Sequence, residues 1–124
     1  LIGYRRARTK EEKEFIQKHG IQYIESKDID EKTIKTVLAF MKSRSDAYLS
    51  IDIDVFDPRD ALGTGWPEAG GPAKEVLLNL IKELAKSEKL KSVDLVETSP
   101  PLDKGGKTAS TAIELLEIFA TPKG

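Results

Sequence analysis

Four short apolar runs, each followed by apolar residues at helical spacing, constrain this 124-residue chain more than any other feature. "LIGYR" reads as a strand. In "TKEEKEFIQKHG", Thr9 with Glu12 three residues later makes a capping box, Phe15 and Ile16 form the buried side, and Gly20 stops the helix. "IQYIE" is a second strand, and Ile34, Val37, Leu38 and Met41 then mark a helix with Asp30 as its expected N-cap. "AYLSIDID" is a third strand. After a loop from Val55 to Gly71, Pro72 stands where a first-turn proline belongs, and Val76, Leu77, Leu80, Ile81 and Leu84 form a stripe. "LKSVDLVE" is a fourth strand, ended by Pro100 and Pro101. Thr108 or Ser110 can cap a last helix carrying Ala112, Leu115, Leu116 and Phe119. The order β-α-β-α-β-α-β-α predicts an α/β protein, a three-layer α/β/α arrangement whose parallel sheet is covered on both faces. In such sheets ligands bind beyond the carboxyl ends of the strands.

Length allows one domain, or part of one, spanning residues 1–124. The 20 basic and 21 acidic residues are interspersed and sum to −1, which argues against a nucleic-acid partner, since phosphate binding needs a concentrated basic face. Cysteine is absent, so there is no disulfide frame, and a reducing cytoplasm is the expected compartment. No apolar run approaches the ~20 residues of a membrane span, and no signal peptide is visible. The first residue is Leu, which suits a chain beginning mid-protein.

The third strand breaks the apolar pattern. "LSIDIDVFDPRDALGTGWPEAGG" sets Asp52, Asp54 and Asp57 into what otherwise reads as a buried run. Alternation would put Ser50, Asp52 and Asp54 on one strand face, with the two carboxylates about 7 Å apart at Cα. Two ionised carboxylates beside a dry sheet are costly unless a positive group pairs them. No Lys or Arg lies within the strand, so a divalent cation such as Mg²⁺ or Mn²⁺ is the economical partner. From spacing alone, the acids fit equally well as the strand's solvent-exposed end, capping the next turn. Three other uses of the pattern fit less well. A haloacid-dehalogenase phosphatase would want Thr or Val where Phe56 stands, and nothing else marks the nucleotide site of a sugar transferase. An EF-hand loop would place oxygen ligands where Phe56 and Gly65 occur.

The longer string "SIDIDVFDPRDALGTGWPEAGG" resembles the signature of the ureohydrolase (arginase/agmatinase) family: Ser-x-Asp-x-Asp-x-x-Asp-Pro, a spacer, Gly-Thr-Gly, Pro and Gly-Gly. "VDLVETSPPLD" resembles the same family's last-strand motif, and "LIGYR" with "TKEEKEFIQKHGI" is similar to the elements before it. The resemblance runs nearly end to end. It implies that Asp52 bridges two Mn²⁺ ions, that Asp54 ligates the second, and that Glu97 pairs with a substrate guanidinium, a geometry suited to bidentate hydrogen bonds. The implied reaction is hydrolysis of a guanidino compound to urea and an amine. Asp57 and Pro58 are expected to shape the turn.

The family's two histidine-bearing motifs, Gly-Gly-Asp-His and Asp-Ala-His-x-Asp, do not occur in this chain, whose one histidine, His19, belongs to a helix end and a helix-dipole contact. The resemblance is therefore to the C-terminal half, expected to be inactive alone. Where arginases of the family place acids after the Ile-Gly-x-Arg strand, this chain has Arg6 and Arg8, and the family's frequent Thr after Gly-Thr-Gly is Trp66. Both changes speak against arginase proper; the arginines are either solvated loop residues or suited to a tail ending in carboxylate, such as a guanidino acid, better than to cationic agmatine. By overall resemblance an agmatine-like guanidino substrate stays the default, with Trp66 and Arg8 joining Glu97 as its expected binding residues. The family's sheet would also place a missing strand between the third and first strands here. The chain is accordingly expected to re-pair across that gap, or to associate with a second copy or an N-terminal half. Two alternatives stand beside this reading. One is an idle remnant or interaction module of the same fold, and the other is an Mg²⁺-dependent, phosphate-handling α/β protein.

Overall fold

The computed structural model describes residues 1–6 and 9–120. Four strands alternate with four helices: β1 (Ile2–Tyr4), α1 (Lys10–Lys18), β2 (Ile24–Glu25), α2 (Glu31–Lys42), β3 (Ala47–Asp52), α3 (Lys74–Ala85), β4 (Leu90–Val96) and α4 (Lys107–Ala120). Every strand pairing is parallel, as the alternation requires, but the strands form two separate pairs, β1 with β2 and β3 with β4. The gap expected between the first and third strands is present, and among the described residues no pairing closes it.

Local signals explain most element ends. Thr9 accepts a hydrogen bond from Glu12 N, and Gly20 leaves α1 at φ +58°, the left-handed region where a side chain would be strained. His19 is the C-cap of α1, as its position suggested. The Asp30 carboxylate caps α2 by accepting from Lys32 N and Thr33 N, and the Thr33 hydroxyl in turn accepts from the Asp30 amide.

Three expectations are corrected. Pro72 lies before α3, whose N-cap is Ala73. The start of α4 is capped not by Thr108 or Ser110 but by the Asp103 carboxylate, which accepts from Thr108 N (3.0 Å) and Ala109 N (2.8 Å). Thr108 instead turns its hydroxyl to Gly63 N at 2.7 Å. Phe15 and Leu116 are exposed. The buried stripe of α1 narrows to Ile16, while Phe15 lies against the His19 ring at 4.3 Å between centroids.

The core lies mainly on one side of β3–β4. Ile51, Ile53, Phe56, Leu77, Ile81 and Leu115 form one cluster, and Ile34, Met41, Leu80 and Leu84 a second, so α2, α3 and α4 follow one another over this face. Lys74 Nζ joins Glu114 across α3 and α4 at 2.7 Å. The other face of β3–β4 remains open among the described residues: Tyr48 is 61% exposed and its hydroxyl donates to Asp94 on the neighbouring strand. A parallel sheet normally has both faces covered.

Candidate functional site: carboxylates at the strand ends

β3 stops at Asp52, because the chain turns there into a single 3₁₀ turn, Ile53–Val55. Asp54 therefore does not continue the strand face of Ser50 and Asp52, as alternation predicted; it sits in the turn. The side chain of Asp52 makes that turn, accepting from Asp54 N at 3.1 Å. Ile53, fully buried, and Phe56 anchor the same turn in the core, so the two carboxylates are presented from a rigid base.

Asp52 and Asp54 are both half-buried. Burial, the charge of Asp52 and a hydrogen bond with Asp52 push the Asp54 carboxyl up to about 6, against a downward pull from Arg5; Glu97 adds to the rise. Asp54 thus feels both Asp52 and Glu97 beyond the ends of β3 and β4, where the sheet rule places ligands. Glu97 is the residue after β4, and it alone among described non-glycine residues has positive φ, +62°. A β-carbon on Gly65 would lie 3.8 Å from Glu97 Oε2, so the bare glycine borders the carboxylate.

The Gly-Thr-Gly loop is zipped to the segment that carries Glu97. Thr64 bridges Thr98 in antiparallel fashion, and Ser99 N donates to Gly63 O at 2.8 Å. Gly63 is required there, since a β-carbon would fall 2.5 Å from Asp103 Cβ. Trp66, one residue past Gly65, is 63% exposed at the same rim. Arg6 is exposed, and Arg8 lies outside the described residues.

Asp57 takes the structural part expected of it. Its Oδ1 accepts from Arg59 Nε (2.8 Å) and Arg59 N (3.1 Å), and its Oδ2 accepts from Gly70 N (3.1 Å), closing the loop into a compact lobe. The Arg59 side chain, helped by the two amides, holds the Asp57 carboxyl down at about 2. The folded-state value lies below the unfolded one of about 3.9, so this contribution is fully present above that value and fades as pH falls toward 2. In an acid titration followed by circular dichroism, Asp57→Asn is expected to destabilise the protein at pH 7 and to flatten its stability change between about pH 4 and 2. An unchanged acid limb would remove Asp57 from this role.

The donor chemistry suits a hard divalent cation, since carboxylate oxygens are what Mg²⁺ and Mn²⁺ take. The set is incomplete: among the described residues no group of three or more His, Cys, Asp or Glu is placed to hold a metal ion. Asp52 and Asp54 fit as part of a donor set, not as the whole of one. Sequence reasoning did not find two supporting residues, Arg5 and Asp103. Arg5 could have been suspected as the first cation at the carboxyl end of an apolar strand.

The family model described as the Arginase family matches residues 1–120. The chain belongs to the arginase family. It is similar to an arginase of Bacillus caldovelox, 35% identical over 121 residues that make up 94% of this chain and 40% of that protein. It is also similar to an agmatinase of Bacillus subtilis, 39% identical over 112 residues, 90% of this chain and 38% of that one. Among solved structures, the native arginase of Bacillus caldovelox superposes with a TM-score of 0.87 at 33% identity, over 98% of this chain and 42% of that one. The agmatine ureohydrolase of Thermoplasma volcanium gives 0.79 at 32% identity, over 95% and 39%. The chain thus spans about two fifths of the length of these relatives. For an arginase-family chain of this extent, the split sheet has a simple meaning: the elements present keep the family's fold although more than half of a relative's length has no counterpart here. No described helix is long and apolar enough to cross a membrane.

Proposed function

We propose that this chain forms one wall of a two-manganese centre that hydrolyses a guanidino compound, agmatine-like, to urea and an amine. Asp52 and Asp54 serve as metal ligands, and Glu97 accepts the guanidinium. The observation that carries the reading is the Asp52–Asp54 pair, set by one 3₁₀ turn at the end of β3 with Asp54 N donating to the Asp52 carboxylate, and with the Asp54 carboxyl pushed up to about 6 by burial and by Asp52. Such a pair favours a bound cation over an unpaired charge. Manganese, when bound, supplies Lewis acidity toward water. Glu97 orients the substrate by paired hydrogen bonds to its flat guanidinium, and Gly65 leaves room beside it. Trp66 walls the rim, and Arg8 is assigned to the substrate's far end, where a guanidinium would suit a carboxylate tail better than the ammonium of agmatine. The histidine ligands belong to the part of the family fold that this chain does not span, which makes the chain inactive alone.

That missing part also supplies a strand for the gap. A groove of about 670 Å³ runs between β1 and β3, lined by Ile2, Val37, Met41, Leu49, Leu80 and Leu84 among others. Free strand edges flank it, and an apolar slot between two edges favours strand addition. The interspersed charge agrees with a protein that has no nucleic-acid partner, and the cysteine-free sequence with a reducing compartment such as the cytoplasm.

Calorimetric titration with Mn²⁺ tests the ligand assignment. Wild type is expected to bind with modest affinity, and Asp52→Asn at least about tenfold more weakly, the loss of one charge-assisted ligand contact. No binding, or equal binding by both proteins, would favour the idle-remnant reading.

A further inference from the structure

Arg5 follows β1 directly, yet its guanidinium is spent elsewhere. Nη2 donates to the carbonyl oxygens of Asp54 (3.1 Å), Val55 (3.3 Å), Phe56 (3.4 Å) and Glu68 (3.1 Å). Nη1 donates to Val55 O (3.2 Å), to Gly3 O (3.1 Å) and to Ser26 Oγ. The acceptors other than Gly3 and Ser26 lie in the turn that carries Asp54 or in the lobe after it, 49 to 63 residues away in sequence. Arg5 Nε is meanwhile buried without a hydrogen-bond partner, a cost accepted to reach this position.

β1 and β3 share no ladder, so backbone pairing cannot register one strand pair against the other. A planar guanidinium with five donors can gather several carbonyls at once; a lysine ammonium is a point donor and cannot span them. The backbone at Asp54 is thereby fixed from two sides, by Arg5 on its carbonyl and by Asp52 on its amide.

We propose that Arg5 is the positioning residue of the metal-ligand turn. It fixes the main chain of Asp54–Phe56, sets where the Asp52 and Asp54 carboxylates point, and makes that geometry depend on the β1–β2 pair being seated. Its metal consequence rests on the reading of Asp52 and Asp54 as ligands; its geometric core does not.

The test uses Arg5→Lys and Arg5→Ala in the 124-residue chain, with amide hydrogen exchange and Mn²⁺ titration as independent readouts. Exchange at Asp54 and Phe56 is expected to quicken about tenfold or more in both variants, the equivalent of one lost charge-assisted bond. Amides in the middle of α3 should keep their wild-type rates, which shows that the chain remains folded. Millimolar guanidinium should restore slow exchange in Arg5→Ala, and ammonium should not. Mn²⁺ affinity should fall about tenfold alongside. Unchanged exchange at the turn, or acceleration spread evenly over the chain, overturns the proposal. So does a loosened turn with undiminished Mn²⁺ affinity. If wild type itself binds no Mn²⁺, the proposed function fails, and the exchange pattern with guanidinium rescue decides the role of Arg5 alone.

Discussion

Phe56→Ala is expected to lower stability by about 3–5 kcal/mol, the usual cost of emptying a buried aromatic site. Phe56 is 1% exposed and packs with Ile53, Leu77, Ile81 and Leu115, the cluster on which β3 and two helices converge. A domain of this size has roughly 5–15 kcal/mol in total, so the loss is a large part of it. In thermal unfolding it corresponds to a fall of roughly 10–20 °C in Tm. The location adds a second consequence. Phe56 carries one of the carbonyls that Arg5 holds, and it separates Asp54 from Asp57. A cavity here would loosen the ligand turn and the loop lobe together. A fall of only a degree or two would show that the site collapses freely around the smaller side chain, and that the turn is anchored elsewhere.

The second large effect concerns assembly. The isolated chain is expected to sediment above its monomer mass of 13.7 kDa, in a concentration-dependent way. The reason is the groove between β1 and β3, where two unpaired edges and an apolar floor meet water together. Exposed apolar patches of this kind drive association, and open edges direct it toward strand pairing. In the whole family fold, by the reading above, a strand of the same polypeptide fills the slot; in the isolated chain a second copy is the available substitute. Sedimentation equilibrium over a hundredfold range of concentration decides the matter. A constant 13.7 kDa at every concentration would rule out self-association through the slot.

Much of this architecture is written in local chemistry. The Asp30 and Thr9 caps, the Gly20 stop and the stripe Leu77, Leu80, Ile81, Leu84 are decided within a turn or two of chain, and the fold follows them. The acids at the end of β3 were legible for the opposite reason, since they violate the strand pattern around them. What the pattern could not say is where the strand stops: the bond from Asp54 N to Asp52 ends β3 early and moves Asp54 off the predicted face. The supporting residues were hidden because their partners are remote. Arg5 meets carbonyls some fifty residues away, and Asp103 caps α4 from across a glycine pair that looked like a plain turn. Amphipathic spacing also overstated burial at Phe15 and Leu116, because a stripe predicts which side of a helix faces inward but not how wide the covering surface is.

The backbone at Glu97 has a bearing on where the chain gives up stability. At φ +62° an L-residue other than glycine or asparagine costs about 1–2 kcal/mol, and Glu97 is exposed, so packing returns little of it. Glycine would relieve the strain at once. Glycine's larger unfolded-state entropy offsets part of that relief. The strained backbone at Glu97 is thus a local stability deficit set at the very residue whose carboxylate borders Gly65.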